Sequence, residues 1–466
     1  MHTIEQLMSG QLQGCKRLQI AAGLTEFPQA IFNLADSLEV LDLSDNNLSE
    51  LPDDLDQLTQ LKILFLTNNN FDSVPSVLAR CPKLEMISFK SNKLTSVPEQ
   101  SLPEQTRWLI LTDNQIESLP EDMGRLYRLQ KLALAGNKLT SLPDSMADCK
   151  QLGLARLSAN AMTSLPNWLF QLPKLSWLAI DGNPIANAGS SGIKAITKDA
   201  TVASVSSEAI ELQQVIGQGA SGVIYRAQWL TQPAELAGTS LDIAVKVFKG
   251  EVTSDGFPEN ELANCLQAGQ HPNLIKVIAQ INEADKAALV MELIPNQYQN
   301  LGLPPSLETC TRDTFSAETQ FELLTILKMV AQMASGLKHL HQNQVSHGDI
   351  YAHNTMYNAN ADILFGDFGA ATNLSLLPQL QREAMEGIEV SALGCFIEDL
   401  IRHCLVTTEK AQYLAGEQAT QVLAKLNALA ADCVQPNVAL RPRFEEIEQL
   451  IQQYICQLTS ETELTI

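Results

Sequence analysis

The sequence predicts two domains of different class: an α/β solenoid of stacked repeats with a parallel sheet on its concave face, followed by an α+β domain of two lobes. An asparagine recurs at intervals of 22 or 23 residues from Asn46 to Asn183, and this phase stops before residue 190. Different patterning follows, with a glycine-rich turn and a cluster of polar residues around Asp349. A chain of 466 residues is also too long for one ordinary core. We expect the solenoid and its caps at 1–190, a linker at 191–210 and the second domain at 211–460.

The composition is that of a globular protein with a strongly acidic surface. Hydrophobic residues make up 45% and charged residues 18% of the chain, which argues against a disordered protein. The formal net charge of −22 repels phosphate backbones, so we expect no nucleic acid among its partners. No run of 18 uncharged apolar residues occurs, and the first ten residues lack a basic segment followed by an apolar one. We therefore expect no membrane span and a cytoplasmic location, while the oligomeric state stays open.

The first domain is built from a repeat in which leucines alternate along a short strand. One unit is Leu38-Glu-Val-Leu-Asp-Leu-Ser-Asp-Asn-Asn-Leu-Ser-Glu-Leu-Pro52, so Leu41 and Leu43 point to the same side. Stacked units pile these leucines into one core, and the asparagine can satisfy backbone groups that stacking would bury. The proline that ends most units has no amide hydrogen, which suits a return segment outside the sheet. The pattern resembles the leucine-rich repeat over roughly residues 15 to 187.

Strand residues that alternate with the core leucines are predicted to line the concave face of the solenoid. They are strongly apolar for an exposed surface, and a contiguous apolar patch usually marks a contact surface. We expect a protein substrate or ligand to bind there, centred on Phe65, Met86, Trp108 and Trp177. Two alternatives stay open: the face packs against the chain's own C-terminal domain, or the residues are simply exposed.

Two stretches early in the second domain are typical of a phosphate site. Ile216-Gly-Gln-Gly-Ala-Ser-Gly-Val-Ile224 lies between hydrophobic runs, which predicts a glycine turn that joins two strands. Glycines let the backbone approach phosphates without interference from side chains. Lys246 lies within the apolar stretch Ile243–Phe248, where a lysine is costly unless its charge has a purpose.

A third motif in this domain follows the glycine-rich stretch and Lys246 and contains several polar residues. It comprises His347-Gly-Asp-Ile-Tyr-Ala-His-Asn354 and, further on, Asp367-Phe-Gly369. In this order the motifs resemble those of the protein kinase family, over roughly residues 211 to 456. The resemblance implies a two-lobed kinase-like fold with ATP and Mg²⁺. Asp349 takes the place of the catalytic aspartate that accepts the substrate hydroxyl's proton, and Asn354 and Asp367 take the places of the Mg²⁺ ligands.

The same resemblance implies which residues bind the nucleotide. Lys246 would grip the α- and β-phosphates, and an acidic residue on the next helix would pair with it; Glu261 is our choice and Glu259 the alternative. The segment from Ala287 to Pro295 resembles the strand and hinge that contact adenine. The implied ATP-binding residues are Ile216, Gly217, Gly219, Gly222, Ile224, Ala244, Lys246, Met291, Glu292 and Ile294.

Several positions depart from the family pattern. Gly348 replaces the arginine before the catalytic aspartate, so a phosphorylated activation loop has no clamp at this point. Tyr351 replaces a lysine usual in serine/threonine kinases, and His353, if protonated, could balance transition-state charge. Only about 21 residues separate Asp367 from an apolar helix that we expect to start near Glu389. Glu389 takes the place of the aspartate that is usual in that helix.

Two classes of function remain. In the first, the repeats capture a protein and the second domain transfers the γ-phosphoryl of ATP to a hydroxyl on it, with serine or threonine favoured by the resemblance. In the second, the second domain is a pseudokinase that only binds nucleotide and serves as a scaffold while the repeats bind partners. Lys246, Asp349, Asn354 and Asp367 are all present, which favours the first class.

Overall fold

The computed structural model describes residues 1–187, 202–219, 221–249, 253, 255–283, 286–405 and 416–459. Its contacts divide the chain into two compact units. Met1–Leu175 and Gly182–Ile185 build most of the first unit, whereas Ser176–Asp181 and most of the chain after residue 186 belong to the second. The predicted linker at 191–210 lies partly outside the described residues, and the domain bounds remain predictions.

The first unit begins with a short helix and continues as a ladder of short parallel strands. Helix α1, Ile4–Met8, starts at Thr3, whose side chain accepts a hydrogen bond from the Gln6 amide in a capping box. The first eight strands of the chain are β1 Arg17–Gln19, β2 Val40–Asp42, β3 Ile63–Phe65, β4 Met86–Ser88, β5 Trp108–Ile110, β6 Lys131–Ala133, β7 Leu154–Arg156 and β8 Trp177–Ala179. Strands β1 to β7 of this unit pair in chain order, and β8 belongs to the segment Ser176–Asp181 of the second unit. The pairs from β1 to β7 are parallel, which confirms the predicted solenoid.

Short 3-10 helices return the chain between most of these strands. A proline stands at the N-cap of five of them: Pro28, Pro75, Pro120, Pro143 and Pro166. Because proline has no N–H group, it leaves no unpaired donor where the helix begins. The alternating core leucines, such as Leu41, Leu64 and Leu132, are fully buried. A last short helix, α2, spans Pro184–Asn187.

The repeating asparagines bind the backbone of two repeats at once. Asn114 accepts a hydrogen bond from the Leu94 amide at 2.9 Å and donates to the carbonyls of Phe89 at 2.9 Å and Leu111 at 3.0 Å. The other six asparagines make equivalent bonds to the preceding repeat: Asn46, Asn69, Asn92, Asn137, Asn160 and Asn183. Their short amide side chains therefore satisfy backbone groups that stacking would otherwise bury unpaired, as the sequence predicted.

Two of the four residues predicted to centre a partner-binding face are buried, and Trp177 follows the alternative left open above, packing against the chain's own C-terminal domain. Met86 lies between Ile63 and Trp108 in the register of three neighbouring strands, and only 4% of its surface is exposed. Trp177 is 3% exposed because its ring packs against other residues of the second unit. Phe65 and Trp108 stay partly exposed. A contact surface centred on all four residues is therefore not available.

The second unit opens with a six-stranded sheet and one helix. Its elements are β9 Ala203–Ser204, β10 Ile210–Gln218, β11 Gly222–Trp229, β12 Asp242–Phe248, α3 Pro258–Ala268, β13 Val277–Glu283 and β14 Lys286–Glu292. The strand order is β10-β11-β12-β14-β13-β9, and β9 pairs in parallel with β13 whereas the other neighbours are antiparallel. Buried residues such as Ile210, Trp229 and Val245 form the core of this sheet. Strand β9 lies within the stretch predicted as linker.

The rest of the second unit is mainly helical, which confirms the predicted α+β class. Its elements are β15 Gln299–Asn300, α4 Leu323–Gln342, β16 Val345–Ser346, β17 Thr355–Tyr357, β18 Ile363–Phe365, β19 Thr372–Asn373, α5 Gln379–Arg402, α6 Glu417–Cys433 and α7 Phe444–Thr459. Strands β15, β17 and β18 form one small sheet, and β16 pairs with β19. Across the described ranges, we find no helix with the length and apolarity that a bilayer crossing requires.

Helix α5 starts earlier than the sequence predicted. We expected an apolar helix near Glu389, but its first residue is Gln379. The first turns carry Arg382, Glu383 and Glu386 and so lack the apolar character that marks the later part of the helix. The segment between Asp367 and this helix is therefore shorter than expected.

Replacing a buried ladder asparagine should destabilise the repeats far more than replacing Asn47, an exposed asparagine that follows a ladder asparagine in the sequence. Asn114→Ala leaves the buried Leu94 amide without its acceptor, whereas the Phe89 and Leu111 carbonyls keep bonds from neighbouring ladder asparagines, and one unsatisfied buried group costs about 1–3 kcal/mol. Exposed Asn47 makes a long bond of 3.5 Å to the Gly23 carbonyl, so Asn47→Ala should cost less than about 0.5 kcal/mol. Urea unfolding, with hydrogen exchange at the repeat amides to separate the two units, measures both changes. Equal losses for the two variants would contradict this role of the ladder.

Candidate active site

The glycine-rich stretch forms the predicted turn between two antiparallel strands, β10 and β11. The Gly219 amide donates to the Gly222 carbonyl at 3.0 Å, which closes the turn. A Cβ at Gly222 would lie 2.5 Å from the Val247 carbonyl oxygen, so packing against β12 requires glycine there. A Cβ at Gly219 would meet nothing within 4 Å. The turn therefore offers an open backbone surface on which a phosphate could lie.

Lys246 lies in the middle of the sheet and is paired with two acidic residues. It stands in β12 between Ile224 of β11 and Leu289 of β14, and its side chain is nearly buried. Its ammonium donates a hydrogen bond to the Glu261 carboxylate on α3 and lies 3.2 Å from Asp367 Oδ1. The structure thus pairs Lys246 with Glu261, our choice from the sequence.

These carboxylates keep the ammonium charged. Burial alone would lower the pKa of Lys246, but the nearby carboxylates of Asp367 and Glu261 outweigh it and raise that pKa above the usual lysine value. The alternative partner on the same helix, Glu259, is exposed. A permanent positive charge at this position suits the binding of phosphate groups.

Asp367 is held in an uncommon backbone conformation. It follows β18 with φ 67° and ψ 77°, in the left-handed region that non-glycine residues seldom adopt. Such strain persists where surrounding contacts impose it, and it concentrates at functional sites. Here the contact with Lys246 directs the carboxylate toward the sheet.

The loop after β16 carries the other two predicted residues. The Asn354 side chain donates hydrogen bonds to Asp349 Oδ2 at 2.7 Å and to the Asp349 carbonyl at 3.1 Å. Buried His347 donates from Nε2 to the Gly366 carbonyl at 3.1 Å and accepts from the Asp349 amide at 3.3 Å through Nδ1. Both ring nitrogens of His347 are thus engaged, which fixes the orientation of the ring. His347, to which the sequence assigned no role, thus ties Asp349 and Asn354 to the residue before Asp367.

Gly348 shows why this chain has no arginine before Asp349. Its φ is 73°, and a Cβ would lie 2.4 Å from the Ala370 carbonyl oxygen, so both the conformation and the space favour glycine. Its amide donates to Glu389 Oε1 at 2.6 Å. The other oxygen of Glu389 accepts from His341 at 2.5 Å. Burial would raise the pKa of Glu389, but the bonds from His341 and Gly348 outweigh it and lower that pKa, so the carboxylate stays ionised.

His353 is paired with a buried carboxylate, and its role in balancing transition-state charge stays a prediction. Its Nδ1 donates to Asp313 Oδ1 at 2.6 Å, and its amide donates to Asp313 Oδ2 at 3.2 Å. The Asp313 side chain is almost fully buried. No sequence motif marks this carboxylate, because it comes from a segment 40 residues earlier in the chain. His353 therefore anchors the loop.

The residues predicted to contact adenine lie on adjacent strands. Ala244 of β12 is buried and stands beside Met291 of β14. Glu292, at the end of β14, pairs its carboxylate with Lys276. Ile294 lies two residues beyond the end of that strand and is partly exposed. On the glycine-turn side, Ile216 is 49% exposed, and Gly217 has the side chain of Ile224 against it.

The oxygen donors present suit Mg²⁺ bound together with a nucleotide. Mg²⁺ is commonly held by one or two protein oxygen ligands together with substrate phosphates and water, not by a full protein cage. Asp367 offers a carboxylate and Asn354 an amide oxygen, both hard donors. Within the described ranges, no cluster of three or more His, Cys, Asp or Glu side chains forms a cage of that kind. The donor set therefore fits a metal that arrives with phosphates.

Comparisons with known proteins match both units. The family model for protein tyrosine and serine/threonine kinases matches residues 210–391, and the leucine rich repeat model matches residues 16–71. Human cyclin-dependent kinase 11A is 24% identical over 254 residues, which is 50% of this chain and 29% of that protein. The Drosophila melanogaster serine/threonine-protein kinase PITSLRE is 25% identical over 254 residues, 50% of this chain and 24% of that protein. Gallus gallus activin receptor type-1 is 27% identical over 170 residues, 35% of this chain and 30% of that protein.

The chain spans less than a third of the length of each of these relatives. What is shared is thus a domain and not a whole protein. The kinase family model begins at the first residue of β10 and includes the glycine turn, Lys246, Asp349, Asn354 and Asp367. The second unit is therefore a protein kinase domain, which follows leucine-rich repeats in the same chain.

Proposed function

We propose that this chain is an ATP- and Mg²⁺-dependent protein kinase that phosphorylates serine or threonine hydroxyls of a protein. The observation that carries the proposal is the convergence of Lys246, Glu261 and Asp367. The paired residues Asp349 and Asn354 are tied to the same region through His347. Pseudokinase scaffolds lose parts of such a set, whereas every part is present here.

In this reaction the substrate oxygen attacks the γ-phosphorus of ATP, the bond to the β-phosphate oxygen breaks, and ADP leaves. Lys246, fixed by Glu261, binds the α- and β-phosphates. Asp349 is partly exposed, so it can orient the incoming hydroxyl and accept its proton. Mg²⁺, which Asp367 and Asn354 would hold, neutralises charge on the phosphate oxygens when bound. Most of the catalysis is therefore positioning and electrostatics.

Serine or threonine is proposed as the phosphorylated residue because of the relatives. Tyr351, which replaces a lysine usual in serine/threonine kinases, does not support this choice. PITSLRE is described as a serine/threonine-protein kinase. Tyr351 is only 6% exposed, and its ring is packed, so it cannot supply the charge of the lysine that it replaces. With ATP as donor, we place the reaction in the cytoplasm.

The repeats are proposed to bind a protein through the two concave-face residues that stay partly exposed, Phe65 and Trp108. Trp108 Nε1 is buried and finds no acceptor among the described residues, so it could donate to a bound backbone carbonyl. Lys131 Nζ lies 4.2 Å from the centre of the same ring and adds a positive charge beside it. A peptide with an acidic residue would suit this surface.

Loss of the phosphate-binding lysine or the metal ligand should abolish phosphorylation. Lys246→Met and Asp367→Ala should each lower the rate about 10²-fold or more, because each removes charge stabilisation in the transition state. The matched control is Lys338→Met, which breaks the pair of Lys338 with Glu448 at 2.5 Å between α4 and α7, and should keep near-normal activity. Incorporation of labelled phosphate from ATP with Mg²⁺ is the measurement.

The outcome separates the two classes of function. Equal labelling by wild type and both site variants would show that a contaminating kinase does the work. An inactive but folded wild type that still binds nucleotide would favour the scaffold.

Restoring the family's arginine should inactivate this enzyme. Gly348→Arg forces a side chain into a left-handed position that costs about 1–2 kcal/mol, and its Cβ would collide with the Ala370 carbonyl. We expect phosphorylation to fall at least about tenfold, since the displaced loop carries Asp349. Gly416→Ala, where a Cβ meets nothing within 4 Å, is the control. Full activity of Gly348→Arg would contradict the steric account.

Removing the two partly exposed aromatic residues of the concave face, Phe65 and Trp108, should affect substrate choice and not chemistry. We expect Phe65→Ala with Trp108→Ala to lose labelling of specific proteins in an extract while autophosphorylation is retained. Tyr127→Ala, which removes a 59% exposed aromatic residue outside the strands, should leave the labelling pattern unchanged. An unaltered pattern in the double variant would refute this use of the concave face.

A further inference from the structure

We propose that Trp177 is a positioning residue for the catalytic loop, although it lies in a strand with repeat sequence. The proposal rests on the proposed kinase function. Trp177 belongs to the segment Ser176–Asp181, whose contacts place it in the second unit with the kinase domain. The sequence had assigned this residue to a partner-binding face.

The indole of Trp177 contacts both a side chain and a backbone carbonyl of the catalytic loop. Its ring stacks on Tyr351 with centroids 4.7 Å apart and planes inclined by only 5°. Its Nε1 donates a hydrogen bond to the Ile350 carbonyl at 2.9 Å. Ile350 and Tyr351 directly follow Asp349 and precede Asn354, so both contacts fall inside the loop that carries the chemistry.

A second set of contacts fixes the same loop. The Tyr351 ring lies 4.9 Å from the ring of His353, which is bonded to buried Asp313. Trp177 and Asp313 therefore both restrain residues that lie between Asp349 and Asn354. With Gly348 in place of arginine, the loop depends on such contacts to define its conformation.

Other residues of the segment contact the remaining elements of the site. Ser176 Oγ lies 2.8 Å from Ser391 Oγ on α5, the helix that carries Glu389. The Ile180 amide donates to Thr372 Oγ1 at 3.3 Å, shortly after Asp367.

A third contact reaches the helix that carries Glu261. Asn264 of α3 donates to Asp181 Oδ2 at 2.8 Å and to the Ala371 carbonyl at 3.2 Å. Asn264 is 2% exposed and lies one helical turn from Glu261. The segment Ser176–Asp181 thus joins α3, the residues after Asp367, the catalytic loop and α5, and Trp177 is the contact nearest to the chemistry.

The test compares three variants of the full chain in steady-state kinetics and hydrogen exchange. Trp177→Ala should lower kcat by about tenfold to a hundredfold and change the KM for ATP by less than about twofold, since Lys246 and the glycine turn are untouched. Trp177→Phe keeps a ring to stack but loses the bond to Ile350, so its kcat should be intermediate. Trp168→Ala removes a comparable indole bond, 3.1 Å to Asp144 in the repeats, and should match wild type.

Hydrogen exchange gives a readout that does not depend on activity. In Trp177→Ala, amides of Gly348–Asn354 should exchange faster while those of β10, β11 and β12 keep wild-type rates. Unchanged exchange in the loop would overturn the proposal whatever the activity, and so would faster exchange with an unchanged kcat. Uniformly faster exchange would also overturn it, because Trp177 would then serve general stability. An inactive wild type would refute the kinase proposal alone, and exchange would still decide whether Trp177 orders the loop.

Discussion

The buried ammonium of Lys246 is the group on which the rest of the site depends. It is enclosed by the sheet and is paired with Glu261 and Asp367. Such pairs contribute little net stability, because taking charges out of water costs about as much as their attraction returns. Leaving Lys246 or Glu261 without the other, both being buried, would cost about 3–5 kcal/mol. The arrangement is better explained by function: two carboxylates keep one cation charged and in place at a phosphate-binding turn.

A second constraint acts on the loop that carries Asp349. Its backbone passes so close to Ala370 that only glycine fits at position 348, which removes the arginine present elsewhere in the family. The loop is instead ordered by side chains from distant parts of the chain, among them Glu389, Asp313 and Trp177. Because these contacts are buried, we expect the loop to keep its conformation without a phosphorylated segment.

The parts of the structure that the sequence predicted are those with a local or repeating signal. The asparagine ladder is one example, since Asn114 and its equivalents bind backbone at fixed offsets in the chain. Lys246 was predicted because a lysine in an apolar strand is costly unless its charge has a purpose, and Asp367 because Asp367-Phe-Gly369 resembles a motif of the kinase family.

What sequence reasoning missed depends on contacts between distant residues. Trp177 and Ile350 are 173 positions apart, so alternation could assign the indole to a face of the strand but could not identify what covers it. Asp313 and the early start of α5 lack any local motif for the same reason.

The central claim is that Lys246, Asn354 and Asp367 bind one metal-bound triphosphate. Calorimetric titration of the protein with a non-hydrolysable ATP analogue, once with Mg²⁺ and once with a chelator, tests this claim most directly. The account predicts that Mg²⁺ tightens binding to wild type at least about tenfold and that Asp367→Asn loses this gain while retaining the metal-free affinity. Equal affinity of wild type with and without Mg²⁺ would contradict it.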